Sequence, residues 1–348
     1  MSLLAKKNVD DRLSVANATA AIILAGSHIW GDRSFELLGP RALLPIANAP
    51  LIEHVMNWLE ACGVRVIIVS TNDAGSFLGS SFLQHQLNGR SGLYLFEDRV
   101  PRGPAGCSHD ATAIVEAEHY VVVEGAVLPG CDLRSLLRSH VASRAAASVV
   151  VHPFAEGLDG HRSLGPAGIY VLARRALAQV SPIGYQDIKE MLIPELRRVR
   201  QTVLAYSFEE ASTRIEGLES YLAVQGCFLR RQCRDVLMAR DYVCAGEACI
   251  HRRATVSDTA RLVGPVMLGP GTHVGPDAIV VGPSVLGASC LLSSGAVLKR
   301  SVLWDSCVVG ERAVVDQCVM TNRASVAPGA MVYAAILQAD LSRLSLAG

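Results

Sequence analysis

No sign of charge dominates this sequence: Lys plus Arg number 32, and Asp plus Glu also number 32, in 348 residues. The chain therefore has no basic field of the kind that tracks nucleic acid or an anionic membrane, and neither is expected as a partner. A small phosphorylated ligand needs only a local cationic pocket. No apolar run approaches the roughly twenty residues of a membrane-crossing helix. The stretch MSLLAKKNVDDRLSVANATA also lacks the continuous apolar core of a signal peptide, so the expected location is cytoplasmic. No C-x-x-C pair occurs among the ten cysteines, at 62, 107, 131, 227, 233, 244, 249, 290, 307 and 318. They read as small buried hydrophobes rather than as zinc ligands or disulfides. The composition of a disordered chain is missing too: hydrophobic residues make up 50% and mean hydropathy is +0.31, which suits a large buried core and two domains.

What is present is a series of short apolar runs, each ending in small or polar residues. Ala21, Ile22, Ile23 and Leu24 form the first, bounded by Gly26. Such a run reads as a strand buried on both faces of a parallel sheet, and the loop after it faces the ligand crevice. Pro40-Arg41-Ala42-Leu43-Leu44-Pro45 and Asn48-Ala49-Pro50 lead into an apolar stripe at helical spacing, Leu51, Ile52, Val55, Met56 and Leu59, closed by Gly63. A second buried strand is predicted over 64–70, which makes a β-α-β unit with right-handed crossover. Further strands are predicted at 93–96, 120–124 and 148–152, and helices at 133–140 and 187–198, the last with Asp187 as N-cap.

The C-terminal part carries a stricter pattern. Aliphatic residues stand at every sixth position, Ile250, Val256, Leu262, Leu268, Val274, Val280, Leu286, Leu292 and Leu298, and a mostly small residue follows each by four. This hexad is one face of a left-handed parallel β-helix, with the aliphatic residue inside and the small one at the corner. Three hexads make one coil, stacked at about 4.8 Å. Gly264, Gly269, Gly275, Gly282, Gly287 and Gly295 are expected near corners, where positive φ favours glycine. The register slips by one near Trp304 and the pattern fades after Ala327-Pro328-Gly329, with residues 335–346 expected to cap the last coil.

The stretch AAIILAGSHIWGDRSFELLGPRALLPIANAPLIE, residues 20–53, resembles the signature of the sugar-nucleotide pyrophosphorylases, the sugar-1-phosphate nucleotidyltransferases such as the mannose-1-phosphate guanylyltransferases. Their pattern runs L-A-G-G-x-G-T-R-L-x-P-L-T-x-x-x-P-K-x-L-L-P-V-x-N-x-P-L-I-E. The resemblance spans roughly residues 20–332 in domain order as well as motif order. It implies an α/β fold: a Rossmann-like nucleotidyltransferase domain at 18–240, a mostly parallel sheet with helices on both faces that includes a bridging helix. A left-handed β-helix at 248–332 and a cap at 333–348 follow. It implies nucleotide-binding roles for Leu24, Ala25 and Gly26 and for the Gly103-Pro104-Ala105-Gly106 element. It implies sugar-binding roles for Gly168 and Tyr170. Arg33, on a two-residue slide of the loop, and Arg41, in the signature Lys slot, are the candidate catalytic cations. The ungapped alignment instead puts Ser27, Ile29 and Gly31 at the loop positions.

The same resemblance exposes losses. The strand that in the family ends in a magnesium-holding Asp reads Glu124-Gly125-Ala126, and Arg214 stands where the second carboxylate belongs. The E-K-P hairpin, whose Lys meets the sugar phosphate, is cut short between His152 and Gly165. Glu124 and Glu216 are possible substitute metal ligands if magnesium-dependent catalysis persists. Three readings stay open: an active nucleotidyltransferase using magnesium, a non-catalytic regulatory or scaffolding paralogue that binds a nucleotide or sugar nucleotide, and an acyltransferase using His251 or His273 on the β-helix. A homo-oligomer, or a complex with a catalytic paralogue, is expected from the flat β-helix faces.

Overall fold

The computed structural model describes residues 18–26, 38–72, 92–155, 162–207, 213–231 and 241–339. Seven strands build the first sheet: β1 (Thr19–Leu24), β2 (Val66–Thr71), β3 (Leu93–Glu97), β4 (His119–Glu124), β5 (Ala147–Ala155), β6 (Arg162–Ala173) and β7 (Val203–Ser207). Their order is β7-β5-β6-β4-β1-β2-β3, and every pairing is parallel except those of β6 with β4 and β5. Successive side chains of a strand point to opposite faces, so β1 serves two cores. Ala21 and Ile23 pack with Ile52, Val55 and Met56 of helix α1 (Leu51–Ala61), and Leu133 and Leu136 of helix α3 (Leu133–Ala142) join the same cluster. Ala20 and Ile22 pack on the other face with Ala105 and Ala111 of helix α2 (Gly103–Ala111) and with Leu192 and Leu196. Helices thus cover both faces of a mostly parallel sheet.

His140, in the last turn of α3, is fully buried. Its Nδ1 lies 2.8 Å from Ser148 Oγ, and its ring meets His119 edge-on at 5.0 Å. Neither His140 Nε2 nor His119 Nδ1 has a partner among the described residues. Burial pushes His140 from the ordinary 6.5 down to about 4, and the neighbouring His119 and Arg175 push the same way. The unfolded chain therefore takes up the proton first. Stability is unaffected above pH 6.5 and falls as pH drops from there towards 4, by up to about 1.4 kcal/mol per pH unit. Denaturant titrations at pH 7 and pH 5 should show this loss, and a His140→Asn variant should lose less over the same interval. Equal slopes for parent and variant would show that other groups carry the acid sensitivity.

The second unit takes in residues 44–50 as well as the described residues from Ile215 onward, so its boundary with the first lies at Arg214/Ile215. Helix Leu218–Arg231, expected as the end of the first domain, groups with this unit for a visible reason. Tyr221 OH and Gln225 Nε2 both donate to Pro45 O at 2.6 Å, and Trp304 Nε1 donates to Tyr221 OH at 3.2 Å.

The hexads form a parallel β-helix in three stacked sheets. One inward column runs Ile250, Leu268, Leu286, Leu303, Met320, Leu337, and another runs Val256, Val274, Leu292, Val309, Val326. The third holds Leu262, Val280, Leu298, Val315 and Val332. The slip near Trp304 is a change of coil size rather than a single fault. From Leu298 onward one side of each coil is a residue shorter, and Arg300, Gln317 and Ala334 turn its corner at φ 44, 55 and 46°. Pairing therefore does not fade after Gly329 but continues through Met331–Tyr333 to Ile336–Leu337, beyond the expected end at 332. A six-residue template cannot follow a six-six-five coil.

The corner glycines also differ from expectation. Gly264 and Gly295 have positive φ, but Gly269, Gly275, Gly282 and Gly287 do not. These four are needed for close approach: a Cβ on Gly275 would lie 2.9 Å from Leu292 O of the next coil. Cys290, Cys307 and Cys318 are small buried residues inside the stack, as the composition suggests. Cys244 and Cys249 are a correction to the reading of the cysteines, because they face each other across the hairpin Tyr242–Ala245/Ala248–His251 and form a disulfide. Pairing across a two-residue turn is invisible to a search for C-x-x-C. Among the described residues, no helix is long and apolar enough to cross a membrane.

Candidate functional site

The register of the first sheet sets Leu24 level with Ser70 and with Glu124, so three central strands end along one edge. Ala25 N donates to Ser70 O at 2.7 Å and Gly125 N to Leu24 O at 2.9 Å, which ties the three ends together. Gly125 is required there, since a Cβ would sit 2.7 Å from Leu24 O. The turn Arg41–Leu43 packs beside it, with Ala42 Cβ 3.3 Å from that same imagined Cβ, and so brings Arg41 to the strand ends. Gly26 is exposed and follows directly. Arg33 and the loop 27–37 lie outside the described residues.

Helix α2 is fixed to this edge by Cys107, whose Sγ lies 2.7 Å from Ser70 Oγ. Burial pushes the Cys107 thiol up to about 12, so it stays protonated and is no nucleophile at neutral pH. Gly103, Pro104, Ala105 and Gly106 form the first turn, and Gly103 has φ +84°. Its missing side chain makes room for another segment: a Cβ would meet Gln186 O at 2.6 Å and Tyr185 Cε2 at 2.7 Å. Gln186 N donates to Arg102 O at 2.5 Å, and Gln186 O accepts from Ala105 N at 3.0 Å. The Gly-rich turn is therefore clamped by residues 185–186, and the Tyr185 ring, 58% exposed, stands at its rim.

A charged cluster centres on Glu124. The two-residue ladder of Thr213–Arg214 with Val127–Leu128 sets Arg214 opposite Val127. Arg214 Nη2 forms an ion pair with Glu124 Oε2. Tyr170 OH donates to Glu124 Oε1 at 2.9 Å, and Lys189 Nζ lies 3.8 Å from the same oxygen. Gly168, at φ +79°, leaves the space, since a Cβ would lie 3.1 Å from Arg214 Nη2 and 3.3 Å from Glu124 Cδ. Burial first, then the Glu124 charge, raises the Tyr170 pKa far above the ordinary phenol range, so its proton stays in place as the donor. Asp187 caps the turn that carries Lys189, accepting from Lys189 N at 2.6 Å and Glu190 N at 2.9 Å.

These residues do not suit magnesium, which demands near-octahedral oxygen ligands. Ala126 offers a methyl group, and the Glu124 carboxylate faces a guanidinium, a hydroxyl and an ammonium. Among the described residues, no three His, Cys, Asp or Glu side chains gather as a metal-binding group. Glu216 is exposed and lies in the second unit, just ahead of helix Leu218–Arg231. His273 is exposed, with Nδ1 2.8 Å from Thr255 Oγ1. Lys189 escaped the sequence reading because it sits in a segment legible only as a capped helix, and Tyr185 because it lies just ahead of that segment. Their spacing from Glu124 in sequence carries no signal.

Residues 257–343 match the family described as GlmU-like, C-terminal hexapeptide. Over 302 residues the chain is 24% identical to the mannose-1-phosphate guanylyltransferase of Mycobacterium tuberculosis, covering 80% of this chain and 83% of that protein. It is 23% identical over 320 residues to a UTP–glucose-1-phosphate uridylyltransferase of Synechocystis sp., covering 82% of each. A putative mannose-1-phosphate guanyltransferase of Sulfolobus acidocaldarius is 25% identical over 279 residues, covering 74% of this chain and 72% of that one.

Proposed function

We propose that this chain, a distant homologue of mannose-1-phosphate guanylyltransferases and other sugar-nucleotide pyrophosphorylases, binds a nucleotide or sugar nucleotide at the joined strand ends without a metal ion. The observation that carries this reading is the Arg214 to Glu124 ion pair beside Ala126. Arg214 is a fixed, always-charged cation with several N–H donors, able to hold a phosphate oxygen while one nitrogen keeps Glu124. Lys189 is 40% exposed and its 3.8 Å approach to Glu124 is loose, so its ammonium can turn to a second oxygen. Together they supply the phosphate cations that the shortened hairpin removes. Nucleotide contacts fall to the main-chain groups of Leu24, Ala25, Gly26 and the Gly103 to Gly106 turn that are not already paired, since Ala25 N, Leu24 O and Ala105 N are committed to Ser70 O, Gly125 N and Gln186 O, with Arg41 at their side. Gly168 and Tyr170 close the sugar end.

In the homologous reaction, a sugar phosphate oxygen would attack the α-phosphorus of a nucleoside triphosphate and pyrophosphate would leave. Negative charge then builds on the leaving group, and stabilising it is the main task of the site. A cation already committed to Glu124 serves bound phosphate and departing pyrophosphate alike, which favours holding a ligand over turning it over. Binding of a panel of nucleoside triphosphates and sugar nucleotides should change little between magnesium and EDTA. Arg214→Ala should weaken it roughly tenfold or more, with Arg214→Lys intermediate and thermal melts confirming that both variants fold. Binding that needs magnesium, or pyrophosphate release at about 1 s⁻¹, would refute the proposal in favour of ordinary catalysis.

A further inference from the structure

The second unit contains a cavity of about 260 Å³, whose lining includes Asn48, Tyr242, His251, Met267 and Asp305. Its polar side chains are locked in place by main-chain partners. Asn48, at φ +62°, donates from Nδ2 to Leu286 O at 2.9 Å. Asp305 Oδ1 accepts from Ala288 N at 2.7 Å, and His251 Nδ1 accepts from Arg253 N at 3.0 Å. That acceptor role puts the proton of a neutral His251 on Nε2. Each tie uses one atom and leaves its counterpart, Asn48 Oδ1, Asp305 Oδ2 and His251 Nε2–H, to solvent or a ligand, Asp305 being exposed and Asn48 and His251 half-buried. Tyr242 meets the His251 ring edge-on at 5.0 Å, directly across the hairpin that the Cys244–Cys249 disulfide closes.

The geometry points to a second small-molecule site, separate from the strand-end cleft, that takes an uncharged ring compound bearing hydrogen-bond donors. Two fixed acceptors and one fixed donor match such a molecule, while Met267, Pro270 and the Tyr242 ring give it an apolar bed. The volume falls just below the roughly 300–1,000 Å³ of drug-sized sites, which suits a nucleobase or a single sugar ring. No Lys or Arg is among the described lining residues, and the Asp305 carboxylate repels anions. Phosphorylated forms are therefore disfavoured here, the reverse of the strand-end cleft. The prearranged polar atoms cost little ordering on binding.

The test is calorimetric titration of the full-length protein with guanosine, adenosine, D-mannose and D-glucose, each beside its monophosphate. At least one uncharged probe should bind, and the part of the binding that Ala288→Phe removes should be tighter for it than for its phosphate, because the strand ends are proposed to take phosphates themselves; the nucleoside and sugar arms identify the source. Asp305→Asn keeps an Oδ1 acceptor for Ala288 N but exchanges the second oxygen for a donor, and should weaken that probe tenfold or more. Ala288→Phe, which fills the cavity without changing charge, should abolish binding. Arg214→Ala should leave it unchanged, which separates this site from the nucleotide cleft whether or not that cleft functions as proposed. The inference is overturned if no uncharged probe binds with a Kd below about 10 mM, if the binding that Ala288→Phe removes is tighter for the phosphates, or if both cavity variants bind like the parent.

Discussion

Val274→Asp is expected to lower the melting temperature of the coiled unit by more than about ten degrees. Val274 is fully buried between Val256 and Leu292 in one inward column. Aspartate there would place a carboxylate among aliphatic side chains, where no described residue offers it a cation. Burying an unpaired charge costs several kcal/mol even when the group takes up a proton to escape. In a unit of this size, each kcal/mol shifts the midpoint by several degrees. His273→Asp, one residue earlier on the exposed outer face, is the matched control and should melt close to the parent. Two equal shifts would show that the alternation along these short strands does not separate inside from outside.

The second large effect is expected from Ala126→Asp combined with Arg214→Asp. Removing the guanidinium leaves Glu124 with Tyr170 and Lys189, and two new carboxylates then crowd the same turn. Without a divalent ion the double variant should be less stable than the parent, because like charges repel in a partly buried place. Magnesium should reverse this, raising stability by about 1.4 kcal/mol at ten times its Kd, whereas the parent should show no magnesium-dependent shift. Turnover is not expected to return with the ion, since the hairpin between His152 and Gly165 remains short. A parent that magnesium stabilises as strongly as the double variant would show that its own carboxylates hold the ion.

Sequence periodicity reaches only as far as local repetition does. The buried strands and the hexads are legible because a strand's alternation and a coil's inward contacts repeat along the chain at fixed intervals. The same template misplaces the end of the stack, because the shortened side depends on Arg300, Gln317 and Ala334 adopting left-handed corners. No composition rule marks these three. The reading of the cysteines as free small hydrophobes fits Cys290, Cys307 and Cys318, which sit inside the coils. It misses Cys244 and Cys249, whose pairing is a property of hairpin register.

The candidate site divides in the same way. The sequence by itself, through its resemblance to the pyrophosphorylases, determined only which expected groups are missing: Ala126 cannot ligate a metal, Arg214 falls where that resemblance expects a carboxylate, and the hairpin between His152 and Gly165 is short, though its strands still pair out to Ala155 and Arg162. It could not determine what these losses leave behind. Glu124 meets Tyr170, Lys189 and Arg214 only because an antiparallel strand, a capped turn and a two-residue ladder converge on one strand end. A carboxylate's role is set by the charges within a few ångströms of it, and those neighbours lie tens of residues away along the chain. Whether Glu124 faces a metal or a guanidinium was therefore a matter for the tertiary structure alone.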